Sequence, residues 1–223
     1  MKTLKDLKYG KIIKVKRNYY DSAERIFKKA SIGIIPGVSV LVGCNGCGKS
    51  TFLGAVEETL SNEGIKYVLY NNLHDGGSRS VSEAVWLGDF GMASSLLYSS
   101  EGECIIHNLG SVAAKCGQMV SSLKKENKKE FWLLLDATDS GMSVDNIVEI
   151  KELLFETIIK NTQESGITPY ILVAANEYEM ACGENCLDVQ NGRYVSFKNY
   201  DDFRKFILKT RVDKEKMRSK GGK

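Results

Sequence analysis

The chain has 223 residues, of which 43% are hydrophobic and 26% are charged, and it carries a net charge of +3. That length suits one sizeable α/β domain better than two, and the composition is that of a soluble globular protein. Residues 1–8 are charged and lack the apolar centre of a signal peptide, and no apolar run approaches the length of a membrane span. A cytoplasmic protein without membrane contact is therefore expected.

The N-terminal part predicts β structure. Residues 11–20 alternate enough to form a strand, and residues 27–35 form a second apolar-rich run. Pro36-Gly37 is a turn signal ahead of a third strand at residues 38–42. An antiparallel β element is expected before residue 43.

A glycine-rich segment joins that third strand to a predicted helix at residues 49–62. It has the pattern G-x-x-x-x-G-K-[ST], and its members are Gly43, Cys44, Asn45, Gly46, Cys47, Gly48, Lys49, Ser50 and Thr51. Between a strand and a helix, this pattern predicts a loop whose backbone N–H groups surround phosphate oxygens. Lys49 would reach the β- and γ-phosphates of a nucleoside triphosphate, and the Ser50 hydroxyl is placed to ligate Mg²⁺. Cys44 and Cys47 are interpreted as free thiols, because a disulfide would constrain this loop.

The remaining elements alternate between strands and helices. Strands are predicted at residues 65–70, 131–135 and 170–175, a hairpin at 188–194, two short helices within 82–98, and longer helices at 104–123, 144–163 and 201–210. This order predicts an α/β fold, with a mostly parallel central sheet flanked by helices and a short helical subdomain. The core stripe of the helix at 144–163 is expected to be Ile147, Ile150, Leu153, Leu154 and Ile158.

An acidic residue follows the strand at residues 131–135. Asp136 ends this apolar run and is placed to hold the metal ion of a bound triphosphate, as a Walker B aspartate does. The alternative interpretation is an aspartate that caps the end of a strand.

Three segments together resemble a known family. Residues 43–51 resemble the phosphate loop of ABC-type P-loop ATPases, residues 133–143 resemble their Walker B strand and D-loop, and residues 99–103 are similar to their signature loop. The resemblance covers about residues 11–207 and implies the P-loop NTPase fold of ABC type, which binds ATP and Mg²⁺. It implies that Ser100 and Gly102 contact the γ-phosphate held by a second subunit in an ATP-dependent, head-to-tail homodimer. It also places Tyr20 where the family has its adenine-stacking aromatic residue, with Tyr19 as the competitor and strand packing as the alternative role.

The departures from the family concern hydrolysis. Ala137 stands where the family has its catalytic glutamate, and Asn176 where it has a histidine. Asp139 and His74 are the candidate replacements for the catalytic base, and Glu177 and Asp75 are further alternatives. Hydrolysis is therefore expected to be slow or impaired. A non-hydrolysing, ATP-gated binding module is the alternative. The cassette of a membrane transporter is a weaker one, because residues 73–99 leave no room for a coupling subdomain.

The last residues are basic. Residues 1–210 are expected to form the single ATP-binding domain, and residues 211–223 a disordered, basic tail. Contact between this tail and nucleic acid is an alternative to a solvated end, although no interleaved aromatic residues support it. The small size, the tail and the altered site resemble those of phage-encoded ATPases of this superfamily.

Overall fold

The computed structural model describes residues 8–16, 25–71, 101–139 and 142–221, without the side chains of residues 101–108 and 218–221. The predictions for Tyr20, Tyr19, His74 and Ser100, and for the two short helices within 82–98, lie outside the described residues. No helix in the described ranges is long and apolar enough to cross a membrane.

The described elements alternate between strands and helices, as the sequence predicts. The strands are β1 (Lys11–Lys14), β2 (Ser31–Ile34), β3 (Gly37–Val42), β4 (Val68–Asn71), β5 (Glu130–Asp136), β6 (Thr168–Ala174), β7 (Asn185–Asp188) and β8 (Arg193–Val195). The helices are α1 (Lys49–Asn62), α2 (Glu101–Lys125), α3 (Val144–Glu149), α4 (Glu156–Glu164), α5 (Tyr178–Ala181) and α6 (Tyr200–Gly221). A π-helical segment, Ile150–Phe155, joins α3 to α4.

The main sheet has the strand order β4-β5-β6-β3-β7-β8, in which all neighbours are parallel except β7 and β8. Strands β1 and β2 form a separate antiparallel pair. The predicted α/β fold, with its mostly parallel sheet and its antiparallel N-terminal element, is confirmed. Because parallel strands end at the same edge, the residues that follow β3, β5 and β6 lie close together, and the candidate site is formed there.

Apolar side chains cover both faces of the sheet. On one face, α1, β1 and β2 pack against alternate side chains of β3, β5 and β6, among them Trp132, whose ring stacks on Tyr170 at a centroid distance of 4.2 Å. On the other face, α2, α3, α4 and Phe203 of α6 pack against the intervening side chains. This burial on both sides explains why β5 and β6 are continuous apolar runs.

The π-helical segment changes the core stripe predicted for the helix after β5. Leu153 was expected in the core but is 62% exposed, whereas Phe155 is 2% exposed. A π turn holds more residues than an α turn, so the positions after Ile150 rotate relative to a regular helix. The prediction for Leu153 is therefore wrong, while Leu154 and Ile158 are buried as expected.

The C-terminal helix is longer than predicted. The side chain of Asn199 accepts the backbone N–H of Asp202 at 3.0 Å, which caps the start of α6. The sequence from there to Gly221 contains no proline and no earlier glycine, and α6 continues to Gly221. The helix end predicted at about residue 210 is therefore wrong, while the domain boundary at that residue and the disordered tail stay predictions. Helix α2 includes Glu101 and Gly102, which precede its predicted start at residue 104, so the backbone of Gly102 is helical.

Candidate nucleotide-binding site

The loop between β3 and α1 depends on its glycines. Gly43, Gly46 and Gly48 have φ values of 145°, 70° and 101°, which side chains disfavour. A Cβ added to Gly48 would lie 2.3 Å from Cγ2 of Ile26, and a Cβ added to Gly43 would lie 2.5 Å from Sγ of Cys47. The sequence alone predicts a tight loop here, and the structure explains why these positions must lack a side chain.

The loop forms one wall of a cavity of about 440 Å³. Residues 45–51 form this wall. Asp136 and Ala137 line the cavity at the end of β5, and Asn176 lines it after β6. The Nζ atom of Lys49 donates a hydrogen bond to the carbonyl oxygen of Gly43 at 3.0 Å. An ammonium group and the N-terminus of α1 therefore face the same space, which is the arrangement that phosphate groups require.

Two predicted metal ligands meet at this cavity. The Ser50 hydroxyl donates a hydrogen bond to Oδ1 of Asp136 at 3.2 Å, although 86 residues separate them in sequence. A hydroxyl and a carboxylate oxygen are hard donors, and Mg²⁺ prefers such donors when a substrate phosphate completes its coordination. The residues present therefore fit Mg²⁺ held between the protein and a phosphate.

The two loop cysteines are buried and interact. The hydrogen bond from Cys47 lowers the pKa of Cys44 to about 6, while burial of Cys44 opposes this shift and Thr210, Lys214 and Lys49 assist it. The same hydrogen bond, together with burial, raises the pKa of Cys47. These opposite shifts favour the thiolate form at Cys44 and the protonated form at Cys47.

Asp139 lies beside the cavity and does not line it. Its Oδ2 atom accepts the backbone N–H groups of Asn176 at 2.6 Å and of Glu177 at 2.8 Å, whereas Oδ1 has no partner among the described residues. Burial raises the pKa of Asp139, and the two backbone N–H groups act against this shift. In this geometry Asp139 holds the turn after β6, and through it Asn176. Its role as a catalytic base stays a prediction, as does that of His74.

Ala137 lines the cavity directly after Asp136. It has a φ of 54°, a left-handed conformation that is unusual for alanine. Among the described residues that line this cavity, Asp136 is the only acid. The structure therefore offers no second carboxylate on the described cavity wall.

Three residues that sequence reasoning missed contribute to the site. Thr210 of α6 accepts the backbone N–H of Cys44 at 3.0 Å, and Lys214 of α6 donates to the carbonyl oxygen of Asn45 at 2.8 Å. Gln190, which follows β7, is 2% exposed and lines the cavity, and its Oε1 atom has no partner among the described residues. No local motif marks any of them, because each reaches the loop through the tertiary fold.

The glycine loop between a central parallel strand and a helix, with Ser50 against Asp136, defines an α/β protein of the P-loop class. No protein-family model matches the chain, and no curated protein matches it. Among solved structures, the chain is similar to cbiO1 from Clostridium perfringens, described as part of the ABC transporter complex cbiONQ. The identity is 18% and the TM-score 0.43, with 94% of this chain and 99% of that chain covered. Because the identity and the TM-score are both low, this likeness carries no conclusion about the site.

Proposed function

We propose that the chain is an ATP-binding protein of the ABC type, which binds ATP–Mg²⁺ at the loop of residues 43–51 and forms a head-to-tail homodimer on nucleotide. The contact between Ser50 and Asp136 beside Lys49 is the observation that carries this proposal. It joins a phosphate loop and a metal-binding acid from distant parts of the chain, and those two parts define a nucleoside triphosphate site. Hydrolysis at this site is slow or impaired.

Each described residue has a chemical task in the proposal. Backbone N–H groups of the loop bind phosphate oxygens, and Lys49 adds positive charge where the β- and γ-phosphates lie. Ser50 and Asp136 hold Mg²⁺, which would neutralise phosphate charge and orient the phosphate groups. Ala137 can neither accept a proton nor orient water, and the loss of a positioned base costs about 10²–10⁴ in rate.

The proposal also includes residues that stay predictions. Tyr20 stacks on the adenine, while Ser100 and Gly102 contact the γ-phosphate of the partner subunit. Asp139 or His74 serves as the remaining base. The protein works in the cytoplasm, where the loop thiols stay reduced. Contact with nucleic acid through the basic residues after 210 is supported by charge alone.

A second function is a nucleotide-gated binding module that closes on ATP without hydrolysing it. The alanine at position 137 favours it, since no second acid is found on the described cavity wall. In such a module ATP shifts the equilibrium by binding the closed form more tightly than the open form. The subunit of a membrane transporter is the least supported alternative, because residues 73–99 form only a short segment.

The test combines light scattering after size exclusion with phosphate release, each measured with and without ATP–Mg²⁺. An ATP-dependent dimer that decays as phosphate appears supports the ATPase, and a lasting dimer without phosphate supports the module. Lys49→Ala is the control, because it removes the phosphate-binding charge from the loop. A wild-type protein that neither dimerises with ATP–Mg²⁺ nor releases phosphate above the level of Lys49→Ala would refute both functions.

A further inference from the structure

The basic C-terminal helix brings a second ammonium group to the phosphate loop. Lys214 donates a hydrogen bond to the carbonyl oxygen of Asn45 at 2.8 Å and lines the same cavity as Lys49. A Cβ added to Gly46 would lie 3.7 Å from Nζ of Lys214, so this ammonium group rests against the open side of that glycine. We propose that Lys214 binds the terminal phosphate of the nucleoside triphosphate; this inference rests on the function proposed above.

The position of Lys214 is held by the contact one helical turn before it. Residues four apart lie on the same side of a helix, and Thr210 is 2% exposed where it accepts the N–H of Cys44 at 3.0 Å. The Thr210 hydroxyl in turn donates to the carbonyl oxygen of Ile207 at 2.8 Å. Lys214 is therefore presented to the loop by an anchored helix, which lowers the entropic cost of placing its ammonium group on a ligand.

The hydrogen bonding of Lys214 leaves it available for an anion, while its charge also helps to lower the pKa of the nearby Cys44 thiol. Among the described residues, no carboxylate forms an ion pair with Lys214, and its one hydrogen bond goes to a neutral carbonyl. An ammonium group has three N–H donors, so two remain for phosphate oxygens while the bond to Asn45 is kept. Lys49 is in the same situation, with its hydrogen bond on the carbonyl oxygen of Gly43. Two cations that face one cavity repel each other unless an anion of several charges lies between them.

The surroundings of Lys214 favour the outermost phosphate. Lys214 and Asn176 line the main cavity together, and both also line a second cavity of about 450 Å³ between the loop and α6. Asn176 follows β6, the neighbour of β5, which ends at Asp136. A metal ion held by Ser50 and Asp136 would neutralise the charge of the terminal phosphates, so the γ-phosphate would lie on this side of the cavity.

The test measures the affinity of the full-length protein for two ligands, ADP–Mg²⁺ and the Mg²⁺ complex of an ATP analogue with an imido bridge between its last two phosphates. In Lys214→Gln, which removes the charge and keeps most of the length, we expect affinity for the analogue to fall about tenfold and affinity for ADP to fall less than about threefold. Lys209→Gln is the matched control, because Lys209 is exposed on the same helix and the substitution changes the same charge. This control is expected to bind both ligands as the wild type does.

Lys214→Arg keeps the charge and guards against a folding defect. It is expected to bind the analogue within about threefold of the wild type, because guanidinium also binds phosphate. Equal losses for the analogue and for ADP, or no loss for either in Lys214→Gln, would overturn the assignment of Lys214 while leaving the nucleotide site intact. A wild-type protein that binds neither ligand would instead refute the proposed function, and the inference with it.

Discussion

Substitution of Thr210 by valine tests whether α6 holds the phosphate loop. Valine keeps the shape of the side chain and removes the hydroxyl that accepts the N–H of Cys44 at 3.0 Å. Thr210 is 2% exposed, so water cannot easily replace the lost acceptor. A buried donor without a partner costs about 1–3 kcal/mol, and the free energy of unfolding should fall by that amount.

Thr162 provides a matched control on another helix. It is fully buried, and its hydroxyl donates to the carbonyl oxygens of Ile158 at 2.7 Å and Ile159 at 2.9 Å, within its own helix. Thr162→Val removes the same atom but leaves no N–H group without an acceptor. We expect it to cost less than about 1 kcal/mol, because those carbonyls keep their helical hydrogen bonds.

Urea unfolding gives the free energy of each variant, provided that the slope with denaturant is unchanged. Thr210→Val should lose more stability than Thr162→Val, and it alone should weaken nucleotide binding, because the loop and Lys214 lose their common anchor. Equal losses of stability in the two variants would refute the reasoning. Unchanged nucleotide affinity in Thr210→Val would show that the loop keeps its shape without α6.

Three further predictions concern the loop and the cavity. At Gly48 the φ angle is 101° and an added Cβ would clash at 2.3 Å, so Gly48→Ala should abolish nucleotide binding. It should also lower the free energy of unfolding, by about 1–3 kcal/mol from the backbone strain alone. Gly54→Ala in α1, where the space is open, should have neither effect. Cys47→Ala should raise the pKa of Cys44 from about 6, so the pH midpoint of Cys44 alkylation, followed by mass spectrometry, should move upward; an unmoved midpoint would contradict the role of the Cys47 hydrogen bond. Ala137→Glu should speed phosphate release by up to about 10²-fold, and Ala137→Gln should not; equal rates would mean that a missing base does not limit hydrolysis.

The parts of the fold with strong local signals could be predicted from the sequence. Helix α1 has the predicted bounds, because a left-handed glycine begins it and Gly64, with a φ of 65°, follows its end. The apolar run that ends at Asp136 predicted β5, and Asp136 is the last residue of that strand. The sheet order was not predictable, since the neighbours of β3 are β6 and β7, which lie far from it in the chain.

One prediction about the core failed because local residue propensity does not reveal the backbone geometry that decided it. A regular helical period placed Leu153 in the core, but Leu153 lies within the π-helical segment and its side chain is exposed. Helical propensity alone does not distinguish a π turn from an α turn, because both use the same residue types. The error therefore concerns which side of the helix is buried, while the helix itself was predicted correctly.

The site itself was predicted only as far as its motifs extend. The motifs give Lys49, Ser50 and Asp136, each at a position that local pattern fixes. Thr210 and Lys214 meet the loop across 166 and 169 residues, and the sequence shows Lys214 only as one charge in a basic run. A basic run at the end of a chain is usually solvated. Here α6 continues through the basic run and turns one side toward the phosphate loop, where Lys214 lines the cavity. Sequence motifs alone would therefore omit part of this candidate site, because α6, which contacts the phosphate loop, follows the last recognisable motif in the chain.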